Sequence, residues 1–433
     1  MLKVANVDTE FARTFTYNAQ GNLGETLDRN GRRTAAYIYD VFDRPMRERW
    51  YDYVGGPIVN QVFHVYDNLG RETYNADGQN VQTFEHDDLG RVLKERNYNP
   101  LNLSPTAGPK VEQRYEYDQL AATDAQQYVR TNYSQHKWDG TSFTTLGTTK
   151  TFVDQLGRTV RIEDTPAGGS LKSLYFTYDA ADRLVSQARI AFLPVAATSY
   201  GTVYAYDNAN RVTQVNHYRS QQLPPIFATT VYAYDRANRI KNQVTTLSTG
   251  VPAFGGQPLT RSKGNTYDDA GQLTATDATL ATQDEAFSYD ANGNRIGTNL
   301  ATGPHNRLTS DANFTYLYDG EGNVIRRTDK TGFGQGSYTQ FAYDHRNRLV
   351  TAENFSSGAV IQRRVTYSYD AEGRLAARKF EELGVGPFLD PLTQEYYVLD
   401  GDQRVLTYDG ETNQLNRRNT WGVLGELVID EVF

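Results

Sequence analysis

The sequence predicts an all-β protein made of tandem β-hairpins, and three observations predict it. An aromatic–x–aromatic–Asp signature recurs along most of the 433 residues. Tyr37 and Tyr39 precede Asp40, Tyr204 and Tyr206 precede Asp207, Tyr232 and Tyr234 precede Asp235, and Phe287 and Tyr289 precede Asp290. Tyr316 and Tyr318 precede Asp319, Phe341 and Tyr343 precede Asp344, and Tyr367 and Tyr369 precede Asp370. Three residues after the Asp stands Gly, Asn or Asp. Then comes Arg, often followed by a branched apolar residue, as in Arg91-Val92, Arg183-Leu184, Arg211-Val212, Arg239-Ile240, Arg348-Leu349 and Arg374-Leu375. A repeat held in register describes one small unit stacked many times, and it argues against reading any single copy as an active site.

Each part of the unit has a physical role. Aromatics two residues apart face the same side of a strand, and Tyr and Phe favour strands. Asp suits the start of a turn, where its carboxylate accepts from backbone N–H groups just ahead. The fourth turn position is Gly70, Gly90, Gly157, Gly293, Gly322 or Gly373 in some copies, Asn210, Asn238 or Asn347 in others, and Asp43 or Asp182 in two more. These residue types best tolerate positive φ, so D-x-x-[GND] reads as a type I turn followed by a left-handed residue. The Arg opens the returning strand. Tyr178, Asp179 and Arg183 complete the set, and His86 stands where other copies have Tyr.

Turn-rich stretches separate the copies: 97–110, 165–170, 221–225, 248–265 and 381–394 carry the clustered Pro and Gly expected of connections, since Pro is unwelcome in a central strand. No window holds a sustained helical apolar period. The least β-like stretch, Leu120 to Val129, has the composition of a short helical turn. Just before it, Tyr117-Asp118-Gln119-Leu120-Ala121 reads as a degenerate turn that has lost Gly and Arg.

Composition agrees with a turn-dense β array: 31 Tyr and 36 Gly against 2 Met. With no Cys there is no disulfide framework, thiolate metal site or Cys nucleophile. A net charge of −8 argues against a nucleic-acid surface. No apolar run reaches the ~18 residues of a membrane span, and residues 1–10 lack the pattern of a Sec signal.

The repeat resembles a known family. Y-D-x-x-G-R is the signature of YD-repeat, or Rhs-repeat, proteins, and Tyr66-Asp67-Asn68-Leu69-Gly70-Arg71 and Tyr369-Asp370-Ala371-Glu372-Gly373-Arg374 match it residue for residue. The family includes bacterial Rhs polymorphic toxins, the C components of insecticidal Tc toxins, and the animal teneurins. The resemblance implies one long sheet spiralling around a hollow, a cocoon or part of one. It also implies a non-catalytic shell segment that shields a toxic C-terminal polypeptide for delivery in bacterial competition, with that toxin and a secretion-system or shell-partner protein as partners. Such a chain is expected to be secreted or at the cell surface, by a route without a visible Sec signal.

Three regions are expected: a lead-in at 1–16, a repeat array at 17–394, and a degenerate last repeat with the start of an Rhs-associated core at 395–433. Leu424 to Phe433 reads as an apolar tail with no partner in its own sequence neighbourhood, so an open array is expected to associate edge to edge. The only Asp-Pro, Asp390-Pro391, lacks the Gly of the family's cleavage segment, and no autoproteolytic residue carries over.

Other chemistry competes poorly with a structural reading. An Asp at the same place in every copy is a turn former before it is an acid. The following Arg is expected to pair with an Asp of a neighbouring hairpin or to lie along the aromatic face. His64, His86, His136, His217, His305 and His345 show no metal-ligand spacing, and 319–323 resembles a Ca²⁺ loop only loosely. No cofactor is expected. The rival reading is a cell-surface carbohydrate-binding or adhesion module, in which rows of Tyr stack on sugar rings. Sequons at Asn132, Asn313 and Asn354 carry little weight in a bacterial chain.

Overall fold

A computed structural model describes the chain apart from residues 1, 5–11, 79, 99–109, 121–128, 192–197, 220–225, 249–258, 384–388, 413, 424, 426 and 433. Among the described residues its regular structure is antiparallel strand joined by turns, with three 3₁₀ turns at Ala281–Gln283, Pro304–Asn306 and Gly332–Gly334. Within each sheet, strands pair with their neighbours along the chain, as hairpins require: Ile58–Tyr66 with Glu72–Asp77, Thr198–Tyr206 with Val212–Arg219, Ile361–Tyr369 with Leu375–Leu383. The expected single sheet is divided. A 22-stranded and a 12-stranded sheet are separated by a two-stranded ladder, Ser288–Tyr289 with Arg295–Ile296.

The chain forms two compact units. One comprises Met1–Tyr115, Gln135–Thr144 and Asn299–Phe433; the other comprises Glu116–Ser134 and Thr145–Thr298. All three Trp residues, Trp50, Trp138 and Trp421, lie in the first, so Trp emission reports on that unit.

The turns take the predicted form. At Asp67 the Gly70 N–H donates to the Asp67 carbonyl at 3.0 Å, the Asp67 N–H donates to the Arg71 carbonyl at 2.9 Å, and φ at Gly70 is +85°. Non-glycine residues hold the same left-handed position: Asp43 at +62°, Asp182 at +65°, Asn210 at +61°, Asn238 at +64° and Asn347 at +58°. The ladder register shifts by one residue just before most of these turns, for example between Val65 and Tyr66, which is the bulge this turn imposes. Four more copies take the same turn, at Asn18–Gly21, Asp28–Gly31, Asp268–Gly271 and Ser356–Ala359. Because Gly373 sits at φ +92° with no side-chain atom nearer than 3.7 Å to a built Cβ, backbone strain decides what fits there. Gly373→Val should cost about 1–2 kcal/mol and Gly373→Asn much less, measured by urea titration of Trp fluorescence; equal costs would contradict a left-handed requirement.

Several boundaries differ from expectation. Asp118 opens no degenerate turn, because it lies inside the unbroken strand Lys110–Leu120. The helical composition of 120–129 falls mostly on residues outside those described, as do the connection at 221–225 and most of that at 97–110. The connections at 248–265 and 381–394 are shorter than their composition suggested, since Leu259–Tyr267 and Leu389–Asp400 are strands. Pro391 is accommodated in the latter because the ladder shifts register between Phe380 and Glu381, its partner. The C-terminal tail does have a local partner: Leu427–Val432 pairs antiparallel with Leu415–Trp421.

Candidate functional site

Within each unit the repeat side chains form a spine, assembled from the turn outward. At the turn beginning with Asp207, one carboxylate oxygen accepts from the Ala209 and Arg211 N–H groups at 2.9 and 3.0 Å, and the other accepts from Arg211 Nε at 2.7 Å. Identical Arg bonds recur at Asp28, Asp40, Asp67, Asp87, Asp154, Asp179, Asp235, Asp344 and Asp370. The Arg thus pairs first with the Asp of its own turn, because four residues across a tight turn bring the guanidinium directly onto the carboxylate; the expected pairing with an Asp of another hairpin is added at Arg158, with Asp182 at 3.0 Å, and at Arg348, with Asp77 at 3.1 Å. Where Arg is absent, an amide substitutes: Gln272 on Asp268, Asn294 on Asp290 and Asn323 on Asp319, at 2.8–3.0 Å. The side-chain hydrogen bonds of Arg183 and Arg211 hold the Asp179 and Asp207 carboxyls below the usual carboxylate range.

The same guanidinium then reaches the next copy. Arg183 lies 4.7 Å from the Tyr206 ring centroid, Arg211 4.6 Å from Tyr234, Arg239 4.4 Å from Tyr267, and Arg348 4.6 Å from Tyr369. Each of these Tyr hydroxyls donates back to the carbonyl just after the Arg: Tyr206 to Leu184 at 2.7 Å, Tyr234 to Val212 at 2.6 Å, Tyr369 to Leu349 at 2.7 Å. Tyr39, Tyr66, Tyr178, Tyr289, Tyr318 and Tyr343 make the corresponding bond to the preceding hairpin. Asp, Arg and Tyr therefore stitch each turn closed and each hairpin to the next. Burial raises the Tyr206 and Tyr234 hydroxyls, so they stay protonated donors.

Sequence reasoning missed a second structure, a polar seam inside the first unit. There the turns at Asp319, Asp344 and Asp370 seat against hairpins almost 300 residues earlier. Glu321 pairs with Arg13 and accepts from the Arg29 N–H at 2.7 Å. Gly320 is required at this contact, since a Cβ would come within 2.7 Å of the Arg29 carbonyl. Arg32 donates to the Tyr343 and Asp344 carbonyls, both at 2.7 Å. His345 stacks on buried Trp50 at 5.2 Å, and Arg346 and Arg348 pair with Glu48 and Asp77 at 3.3 and 3.1 Å. Ala371 packs on Trp50 and Val62.

Farther along the seam, Gln113 donates to the Leu399 carbonyl, Tyr115 to Asp400, and fully buried Arg418 to Gln135 at 2.6 Å. The available signal was the third turn residue. It is charged in these docked copies (Glu321, Arg346, Glu372) but Phe42, Leu69 or Leu89 in turns whose tips are exposed.

The histidines are dispersed. His64 bonds Glu72 at 2.5 Å, His217 bonds Thr202 at 3.0 Å, and His345 bonds the Tyr51 carbonyl at 2.8 Å. Among the described residues no group of three His, Asp or Glu is placed to hold a metal ion. The loop at 319–323 is a repeat turn whose carboxylates are occupied by Asn323, Asn30 and Arg13. Among the described residues no helix is long and apolar enough to cross a membrane.

Comparison with known proteins gives one family match: residues 259–389 fit the family described as the teneurin YD-shell. Solved structures with detectable similarity include the Photorhabdus luminescens Tc holotoxin pore, at 12% identity and TM-score 0.28, covering 99% of this chain and 28% of that one. The TcdB2–TccC3 complex matches at 12% identity and TM-score 0.32, covering 98% of this chain and 32% of that one. A porin-like protein from Bacteroides uniformis matches at 11% identity and TM-score 0.19, covering 60% of this chain and 92% of that one. The chain spans about a third or less of the length of the toxin chains it matches.

Proposed function

We propose that this YD-repeat chain, matched by the YD-shell family at 259–389, is a non-catalytic segment of a toxin shell that walls in a polypeptide. The observation that carries this reading is the spine: the Asp, Arg and Tyr of the repeat are spent on holding hairpin to hairpin, so the repeated chemistry builds a wall. The walled-in partner is a toxic polypeptide carried by the same or an associated chain, in a secreted or surface-exposed bacterial assembly. Residues 17–394 are the wall proper, and 395–433 begin the core that follows it.

The carbohydrate reading needs open aromatic faces. It is disfavoured at the spine, where Tyr206, Tyr234, Tyr267 and Tyr369 each carry a guanidinium on the ring and a committed hydroxyl. A marker polypeptide fused after residue 433 should become resistant to proteolysis, while glycan arrays bind no better than an unrelated β protein. Saturable binding of a defined glycan, lost when exposed Tyr200 and Tyr53 become Ala, with the marker cleaved freely, would replace the shell by a lectin-like module.

A further inference from the structure

We infer that one face of the sheet spanning Leu184–Tyr267 is a binding surface for acidic, extended polypeptide. In an acidic protein this stretch is anomalous. It contains eight basic residues and only two acidic ones, Asp207 and Asp235, and both acids are consumed by their own turn arginines. The strand bodies between its turns contain no carboxylate at all.

Register gathers these cations on one side. Directly paired residues of antiparallel strands share a face. Arg189 opposes Tyr200, and Tyr200 opposes Arg219. In the same ladders Thr202 opposes His217, His217 opposes Ala228, and Ala228 opposes Leu247. Thr245 and Gln243 then oppose Arg261 and Lys263. Arg189, Arg219, Arg261 and Lys263 therefore share one face with Tyr200, Thr202, Thr245 and Gln243. The opposite face, running through Ala188, Gly201, Tyr218, Thr229, Thr246 and Ser262, is uncharged.

Arg261 and Lys263 are exposed and, with Arg219, form no ion pair among the described residues; Arg219 packs on the Tyr200 ring at 5.3 Å. A groove of about 310 Å³ lies along this face, lined in part by Gln243, Thr245, Leu247, Leu259, Arg261 and Lys263. Two strands before the stretch a carboxylate returns: Asp164 stands directly opposite Lys172.

Charge complementarity and spacing select the occupant. Arg189 and Arg219, on strands two apart, stand about 10 Å from one another across Tyr200, and Arg261 and Lys263 lie about 7 Å apart on one strand, with Thr245 and Gln243 beside them. A nucleic acid, with a charge every ~3.4 Å of each strand, asks for a denser array. Carboxylates a few residues apart on an extended chain fit the wider spacing, and the intervening hydroxyl and amide groups can hydrogen-bond peptide groups. The choice of polypeptide rests on the shell reading; the cationic face itself does not.

The test uses the whole chain and a fluorescent poly-glutamate peptide, with poly-lysine, heparin and single-stranded DNA as comparisons. Poly-glutamate should bind saturably and weaken as salt rises. The double variant Arg261→Glu, Lys263→Glu should lose about tenfold or more in affinity, while reversal of Lys94, in the other unit, changes nothing. Arg219→Gln, which adds no repulsion, provides a second, gentler variant and should weaken binding by a smaller factor. Absence of poly-glutamate binding, indifference to all of these substitutions, or tighter binding of heparin or DNA would overturn the proposal. If the fused marker polypeptide is still protected in that case, the shell reading survives and only the acidic-polypeptide surface is lost.

Discussion

Replacing Asp370 by alanine should destabilise the first unit by about 3–5 kcal/mol, the range for removing one partner of a buried ion pair. Asp370 is 1% exposed. Its carboxylate accepts from the Arg374 N–H at 2.8 Å and from Arg374 Nε at 2.7 Å, and its carbonyl accepts from Gly373 N–H and Arg348. Arg374 is itself largely buried, so truncation leaves a desolvated guanidinium with Glu372 at 3.2 Å as its nearest remaining carboxylate. That residual partner places the loss toward the lower end. The chemically identical turn at Asp67 is more open to solvent, and Asp67→Ala should cost distinctly less, as exposed pairs do. Asp370→Asn should fall between, since an amide oxygen still caps the backbone N–H but carries no charge. Urea titration followed by Trp fluorescence reads these differences within the unit that holds all three Trp. Equal losses at Asp67 and Asp370 would mean that the turn motif, and not its burial in the seam, sets the energy.

That contrast also marks where sequence reading ends. A turn is a local object: Asp, a left-handed residue and Arg within five positions dictate backbone bonds by short-range sterics. Gly70, Asn238 and Asp182 were therefore legible one by one, and so was the hairpin array they punctuate. Copies with weaker spelling escaped, as at Ser356–Ala359, where Ser replaces Asp and Ala takes φ +59°. The Tyr hydroxyl bonds to the preceding hairpin span 10 to 27 residues, so they follow from the side-by-side stacking of hairpins and not from any fixed spacing. The seam could not be read this way. Which of many identical turns docks on Arg13, Trp50 or Asp77 depends on how a long sheet curves, which no local motif encodes. Glu321, Arg346 and Glu372 hint that these tips meet charged partners, yet nothing in the sequence says which. The cationic face of Leu184–Tyr267 lies between these cases. Its missing carboxylates are visible in composition, whereas the gathering of its cations on one side needs the register.

Glu95 should give the seam a pH dependence of opposite sign to that of the turns. It lies in the strand Val92–Tyr98, is 8% exposed, and accepts from Gln82 and Asn97 at 2.9 and 3.1 Å. Burial pushes its carboxyl up to about 7; the Asn97 bond and the Arg374 charge oppose this, while Asp400 and Glu372 add to it. A carboxyl raised in the folded state binds its proton more tightly there than in the unfolded chain. Its contribution is complete below the unfolded value and disappears as pH rises through 7. The turn carboxyls of Asp40 and Asp67, in the same unit, are depressed, so theirs is present at neutral pH and lost as pH falls.

Between pH 5 and 8 the depressed carboxyls of Asp40 and Asp67 stay ionised and Glu95 dominates, so the first unit should lose up to about 3 kcal/mol over that window. Asp77, Asp400 and Glu372, also raised by burial, act in the same direction. Glu95→Gln keeps an acceptor for Gln82 and Asn97 and cannot ionise. It should flatten most of the slope and be more stable than the parent at pH 8, read as the urea midpoint of Trp fluorescence at several pH values. A parent protein more stable at pH 8 than at pH 5, or a glutamine variant weaker than the parent at pH 8, would show that Glu95 is ionised and favourably paired in the seam. The junction between the N-terminal hairpins and the C-terminal strands would then be held by charge at neutral pH, and acid, not base, would loosen it.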